Sequence, residues 1–342
     1  MKKHKICKIL LVILAIFLCV AFYELLGICV AYKKQPEVSN TTKKETKNGS
    51  WNECSENTER AVIIEKNPEA LLQRVRLIKN AKKEIILSTF AFQSDESGKL
   101  ILGALHDAAD RGVHIRLLVD GMESWIDMEG NPYFYGLSSH ENVEIKLYNK
   151  ANPLKPWKMM GRMHDKYLIA DGKRYILGGR NTYNYFLGDF PGHKNYDRDV
   201  LVVCDEPEKE NSVNQLSEYF ETIWNQEDSG YFHDNKKLAN RKSVKNAVLE
   251  LQNGYQKYFE ENKERICDTD YTDETFETEK IALVSNPIHT GSKEPVVWYQ
   301  LGELMKNAKE RVKIHTPYII CNDMMYNTWK EIAERVPDFS IM

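Results

Sequence analysis

The chain has 342 residues, enough for two domains, with 42% hydrophobic and 28% charged residues, the balance of an ordinary globular protein. Its net charge is −3, which argues against a dominant polyanion-binding surface, so a nucleic acid is not the expected partner. The seven cysteines (Cys7, Cys19, Cys29, Cys54, Cys204, Cys267 and Cys321) show neither ligand spacing nor a disulfide framework, and no metal or other cofactor is expected.

Residues 1–32 read as a membrane anchor. Lys2, Lys3, Lys5 and Lys8 precede an apolar run, 9–32, interrupted by Glu24. As a helix those positions extend about 36 Å, enough to cross the hydrocarbon of a bilayer. A cleaved signal peptide is the competing reading, but the run is too long for one and lacks a small-x-small site. The residues before Cys29 fit a lipoprotein signal poorly. A single uncleaved span in the cell membrane is expected, with Glu24 reaching the headgroups or pairing with a partner helix. Lysines also follow the run (Lys33, Lys34, Lys43, Lys44, Lys47), so the positive-inside rule does not decide orientation. The N-terminal cluster points to a short inside tail and an extracytoplasmic catalytic domain. Residues 33–58 are polar and read as a flexible tether.

Folding resumes near Glu59, in a unit expected to run to 230. Apolar residues recur at helical spacing over 70–79 (Ala70, Leu71, Val75, Ile78), and 84–92 is a β-branched and aromatic strand. Residues 98–111 place Leu100, Ile101, Ala104, Leu105 and Ala108 on one side and stop at Gly112. Strands are expected at 113–119 and 143–147. This alternation predicts an α/β fold, a mixed β-sheet sandwiched by helices. The loop between Pro153 and Gly161 carries Trp157, Met159 and Met160, read either as a cap on the core or as an apolar rim beside a site.

The chemistry concentrates in 162–181, where His164, Lys166, Asp171, Gly178, Gly179 and Asn181 spell His-x-Lys-x4-Asp-x6-Gly-Gly-x-Asn. In an extended strand His164 and Lys166 share a face while Tyr167 and Ile169 point to the other. Gly172-Lys173-Arg174 reads as a tight turn, and a returning strand at 175–177 would bring the glycines and Asn181 near the start of the hairpin. An imidazole, an ammonium, glycines and a carboxamide in one place suit a phosphate ester. This pattern resembles the signature of the phospholipase D superfamily, matched at every motif position.

The resemblance implies that His164 attacks phosphorus to form a phosphohistidine. It also implies that Lys166, Asn181 and the backbone around Gly178 and Gly179 hold the phosphate oxygens. Asp171 completes the catalytic set, although its place at the turn suits tying the hairpin together. An acidic residue is expected to hold the other ring nitrogen of His164. Asp199, abutting the strand 200–203, is taken over Asp197, with a surface acid pairing Arg198 as the plain alternative. Tyr183, Tyr185, Phe186, Phe190 and Tyr196 form an aromatic loop, again core or rim.

Beyond a helix at 207–224, residues 231–280 read as a helical and then acidic connector, its charges a solvated face. Ile78-Lys79-Asn80-Ala81-Lys82 recurs as Met305-Lys306-Asn307-Ala308-Lys309, each copy after a helix and before a strand (85–92 and 312–320). Thr316-Pro317-Tyr318-Ile319-Ile320 resembles the superfamily's second-lobe strand, especially in cardiolipin synthases. Residues 281–342 are thus read as the incomplete start of a second lobe, and the second signature histidine, due near position 391, is expected from a missing C-terminal half or from another chain. His193, His289 and His315 lack its context. The expected activity is that of a membrane-anchored phosphatidyltransferase or phosphodiesterase acting on phospholipids, most like cardiolipin synthase. The alternatives are a phospholipase D-type nuclease and a catalytically incomplete, membrane-tethered phosphate-binding module.

Overall fold

Helix α1 (Lys2–Tyr32) is apolar and long enough over Lys5–Tyr32 to cross a membrane. From Lys5 through Tyr23 it is exposed; then Glu24, Gly27, Ile28, Ala31 and Tyr32, one face at helical spacing, are partly covered by the rest of the protein. The computed structural model describes residues 2–49, 59–207, 210–233, 235–316 and 318–342. The remainder of the expected tether, with Cys54, and Pro317 of the second-lobe strand lie outside those residues. The tether reading needs correcting where it is described: α2 (Asn40–Asn48) forms there, its N-cap Ser39 accepting from Thr42 N. Thr42 Oγ1 donates to Glu294 at 2.6 Å, so this segment is docked on the chain's last quarter.

From 59 onward come β1 (Arg60–Ile64), α3 (Asn67–Asn80), β2 (Glu84–Thr89), α4 (Glu96–Asp110), β3 (His114–Asp120), α5 (Gly121–Asp127), α6 (Pro132–Ser138) and β4 (Val143–Tyr148). They are followed by β5 (Tyr167–Ala170), β6 (Arg174–Gly178), β7 (Asp199–Val203), α7 (Ser212–Trp224), β8 (Ser229–Tyr231), α8 (Lys242–Glu261), α9 (Lys263–Cys267) and β9 (Phe276–Glu277). The strands form a nine-stranded mixed sheet in the order β8-β4-β3-β2-β5-β6-β7-β1-β9. β2, β3 and β4 are parallel, and β5, β6, β7 and β1 antiparallel to their neighbours.

Strand alternation feeds two cores. Leu168, Ile176 and Leu201 face the side covered by α3, α4, α6 and α8. Tyr167, Ile169, Tyr175 and Val202 face α7, through Val213, Leu216 and Phe220. The helix–sheet–helix sandwich expected from the sequence is therefore the observed layering.

The acidic connector presents its charges to solvent as expected, Asp268, Asp270, Asp273, Glu274 and Glu277 all being exposed, but its backbone is fastened to the fold. Buried Arg76 donates to the carbonyl oxygens of Asp268 (2.8 Å) and Asp270 (2.6 Å) and to Glu274 (2.9 Å). The guanidinium also lies 3.9 Å from the ring centre of buried Tyr271. β9 then joins the sheet edge beside β1.

The internal repeat has a structural counterpart. α10 (Val296–Lys306), β10 (Arg311–Ile314), α11 (Asp323–Arg335) and β11 (Asp338–Ile341) repeat the order of α3, β2, α4 and β3, and in both units the two strands are parallel. The strand expected over 312–320 is shorter than predicted, ending at Ile314.

Candidate active site

Sheet topology decides which residues can meet. The parallel strands β2 and β3 end at the edge where antiparallel β5 and β7 begin and β6 ends, as the pairings Ser88↔Tyr167 and Gly178↔Asp199 record. Phe90, Asp120, the run Arg162–Lys166, Gly178 and Asp199 therefore come to one edge of the sheet. This is the edge at which α/β sheets carry their ligands. Asp171 belongs to the opposite edge.

His164 and Lys166 lie in irregular backbone just ahead of β5 rather than on the strand itself. Their shared setting comes from other contacts. Asp120, buried at the end of β3, accepts from Arg162 Nε (2.9 Å) and Met163 N (3.0 Å) and also caps α5 through Met122 N. This one carboxylate holds the chain on the approach to His164. The Phe90 ring stands edge-on to His164, with centroids 4.6 Å apart, while Arg162 and Lys166 approach the same ring at 4.9 and 5.2 Å. Lys166 is buried, and its Nζ donates to the carbonyl of His164 at 2.7 Å. An ammonium has three donors, so this bond uses one.

The electrostatics favour a neutral imidazole beside a cation. Burial lowers the pKa of His164 from its ordinary 6.5, and the charges of Lys166 and Arg162 add to this against the opposing pull of Asp120. Burial pushes Lys166 down to about 8, with Asp165, Asp197 and Asp120 resisting. Asp165 is raised by burial and accepts from the Tyr219 hydroxyl at 2.8 Å. A cavity of about 380 Å³ opens over these groups, lined by Arg162, His164, Asp165, Lys166, Tyr219 and, from the segment between β9 and α10, Asn286 and Lys293. Burial lowers Lys293, and Asp165 is the charge that opposes it.

Four sequence expectations stand differently here. Asp199 does not meet His164: its Oδ2 accepts from Arg74 (2.9 Å) and pairs with Arg180 (3.2 Å), all three side chains being buried. Asp171, with φ 55°, accepts from the backbone amides of Lys82 (2.8 Å), Lys83 (2.7 Å) and Glu84 (3.0 Å), which anchors the β5–β6 turn to the start of β2. The expected catalytic role for it gives way to the structural one.

The amides of Gly178 and Gly179 are already used by the carbonyls of Lys166 and Arg198. These residues are glycine because a Cβ would sit 2.1 Å from a carboxylate oxygen of Asp199 or of Asp197. Asn181 is buried, its Oδ1 accepting from Ala91 N at 3.2 Å. Of the named set, His164, Lys166 and Gly178 line the cavity; Asp171, Gly179, Asn181 and Asp199 support the frame around it.

Both loops with two readings are resolved. Leu154, Trp157 and Met160 are exposed, so the loop ahead of the signature is a rim. In the aromatic loop, Phe186 is buried and Tyr183, Tyr185 and Phe190 pack against the core, whereas Tyr196 is exposed. Sequence reasoning missed Phe90, Asp120, Asp165, Tyr219 and Lys293, which no local motif marks; only Asp120, one residue past the predicted strand 113–119, is of a type that favours a helix N-cap.

Residues 74–224 match the family model for the cardiolipin synthase, phospholipase D-like domain. Over that stretch, somewhat under half of its length, the chain is similar to the phospholipase D-like domain of this family. The chain is 28% identical over 310 residues to an uncharacterized protein of Helicobacter pylori, a match covering 82% of this chain and 58% of that protein. It is 30% identical over 154 residues to cardiolipin synthase C of Escherichia coli, covering 41% of this chain and 31% of the relative. The chain thus spans less than two thirds of the length of these curated relatives. Phosphatidylserine synthase of Haemophilus influenzae shares the superfamily fold at a TM-score of 0.57 and 16% identity, covering 88% of this chain and 65% of that one.

Proposed function

We propose that this chain carries the nucleophilic half of a membrane-anchored phosphatidyltransferase or phosphodiesterase, with His164 as nucleophile and phospholipids as substrates. Transfer from phosphatidylglycerol to a second lipid hydroxyl, as in cardiolipin synthesis, is the preferred reaction. The observation that carries this reading is a histidine whose surroundings keep it neutral, facing a cavity it shares with the cations Arg162, Lys166 and Lys293. The lipid assignment draws on the apolar anchor and the likeness to cardiolipin synthases.

In the first step a ring nitrogen of His164 donates its lone pair to phosphorus and the bond to the leaving alkoxide breaks. The cations hold the non-bridging oxygens as charge builds on them. The leaving oxygen needs a proton from a second acid. Among the described residues no second histidine lines the cavity: His193 lies against Tyr185, His289 caps Gly291, and His315 meets Arg198. We assign the acid to a second signature, from the same chain or another. In the second step the acceptor hydroxyl attacks phosphorus, the histidine nitrogen leaves with its electron pair, and the acceptor's proton returns to that acid.

The test is to incubate the full chain with phosphatidylglycerol labelled in phosphorus and quench under conditions that preserve phosphohistidine. Label on His164, lost in His164→Ala, is the expected result. Nuclease activity on DNA with no labelled protein from lipid would overturn the assignment.

A further inference from the structure

A second cavity, of about 480 Å³, adjoins the first and shares Arg162, Asn286 and Lys293 with it. Its other walls include Met160, Trp298, Met324 and Met325, and Tyr32, the last residue of α1. The Tyr32 hydroxyl donates to the carbonyl of Thr290, which fixes the end of the anchor at this opening. The cavity therefore has an apolar wall of Met160, Trp298, Met324 and Met325 and cations toward His164. Gln35 and the carboxylate of Glu294, the latter held by Ser39 and Thr42, are also on its lining. The apolar wall and the cations follow the polarity of a phospholipid read from glycerol and chains to phosphate.

The depth of the anchor places this opening at the interfacial layer of the bilayer. Apolar sequence begins at Ile9, after Lys8, and about 20 residues are needed to cross roughly 30 Å of hydrocarbon. Counting from Ile9, the far boundary falls near Ile28. Yet the folded domain already meets α1 before that point. The Tyr23 hydroxyl donates to the carbonyl of Leu154 at 3.0 Å, and Gly27 is so close to Pro156 that a Cβ would lie 2.5 Å from its ring. The rim residues Leu154, Trp157 and Met160, 77, 46 and 56% exposed, thus stand level with the last turns of the span. A Trp and two aliphatic side chains at that depth suit the interfacial zone.

We infer that the cavity at the foot of the anchor is the access route for a bilayer phospholipid. Its glycerol and upper acyl segments lie against Met160, Trp298, Met324 and Met325 while its phosphate passes Arg162 and Lys293 to His164. This rests on the lipid reading above, and its test separates the two.

Full-length protein is reconstituted in vesicles of phosphatidylethanolamine and phosphatidylglycerol, the latter carrying a diazirine near the top of one acyl chain. After illumination, peptides bearing Met160, Met324 or Met325 are expected to carry lipid adducts. Met160→Glu, at an exposed position where folding is spared and a melting curve verifies it, is expected to lower the adducts at Met324 and Met325 about tenfold, because a carboxylate there opposes lipid chains. Adducts confined to α1, or undiminished in Met160→Glu, overturn the route. The phosphate label on His164 is read separately in the same vesicles. Its presence without adducts at the methionines removes the access route and keeps the lipid enzyme. Adducts there without it keep the lipid site and remove the nucleophile assignment.

Discussion

His164 and Lys166 are two bases that the fold holds below their ordinary pKa values, and the pair sets a pH window. A lowered pKa means the folded state binds fewer protons than the unfolded one, so neither group stabilises the empty site by holding its charge. In the proposed reaction the neutral form of His164 is the nucleophile, and acidification through its lowered pKa, below 6.5, removes the lone pair. In the same proposal the charged form of Lys166 holds phosphate, and it is lost as pH rises through about 8. An anion bound beside Lys166 favours its charged form, so ligand binding and protonation support each other below that value. The rise in melting temperature on adding inorganic phosphate is therefore expected to be full near neutrality and to shrink as pH passes about 8. A rise that persists unchanged to pH 10, or that Lys166→Ala leaves intact, would remove Lys166 from the phosphate site.

At the scale of elements, the β5–β6 hairpin is held at both ends by carboxylates of different kinds. At the site end, Asp199 shares two buried arginines, an arrangement that fixes the register of β7 against Arg74 on α3 and Arg180 after β6. At the far end, Asp171 gathers three amides of the chain entering β2. Hydrogen bonds to a charged acceptor are each worth about 1.5–3 kcal/mol, part of which solvent recovers at this partly exposed position. Asp171→Ala is expected to cost about 2 kcal/mol in chemical denaturation. The phosphate affinity of the molecules that remain folded should be unchanged. A loss of affinity without a loss of stability would return Asp171 to the chemistry.

At the scale of the whole molecule, the segment after α9 closes over α3 and the edge of the sheet instead of hanging free. Arg76 is the fastening, through two main-chain carbonyls, Glu274 and the face of Tyr271. Removing it strands part-buried carbonyls and the buried Tyr271 ring, so Arg76→Ala is expected to cost about 2–3 kcal/mol. It should also open 268–277 to limited proteolysis at Tyr271. Resistance equal to that of the unaltered protein would show that β9 and the bonds from Arg60 to Thr272, Thr275 and Glu277 hold the segment without it. The same closure matters for the site, because the chain emerging from β9 carries Asn286 and Lys293 to the cavity over His164.

The sequence by itself determined the layered α/β fold, an N-terminal helix long and apolar enough to cross a membrane, the hairpin at 167–178, the repeated helix–strand–helix–strand unit and the spacing that puts His164 beside Lys166. All of these are written in local periodicity or in spacings a few residues long, and short-range geometry is enough to read them. Only the tertiary structure decided that Asp199 serves Arg74, 125 residues before it, and that Asp120 positions the approach to His164. It also decided that Lys293 joins the site and that the acidic connector, its carboxylates exposed, is fastened along α3 and the sheet edge. A carboxylate takes whichever cation the packing of distant strands brings within about 3 Å, and no spacing along the chain encodes that choice.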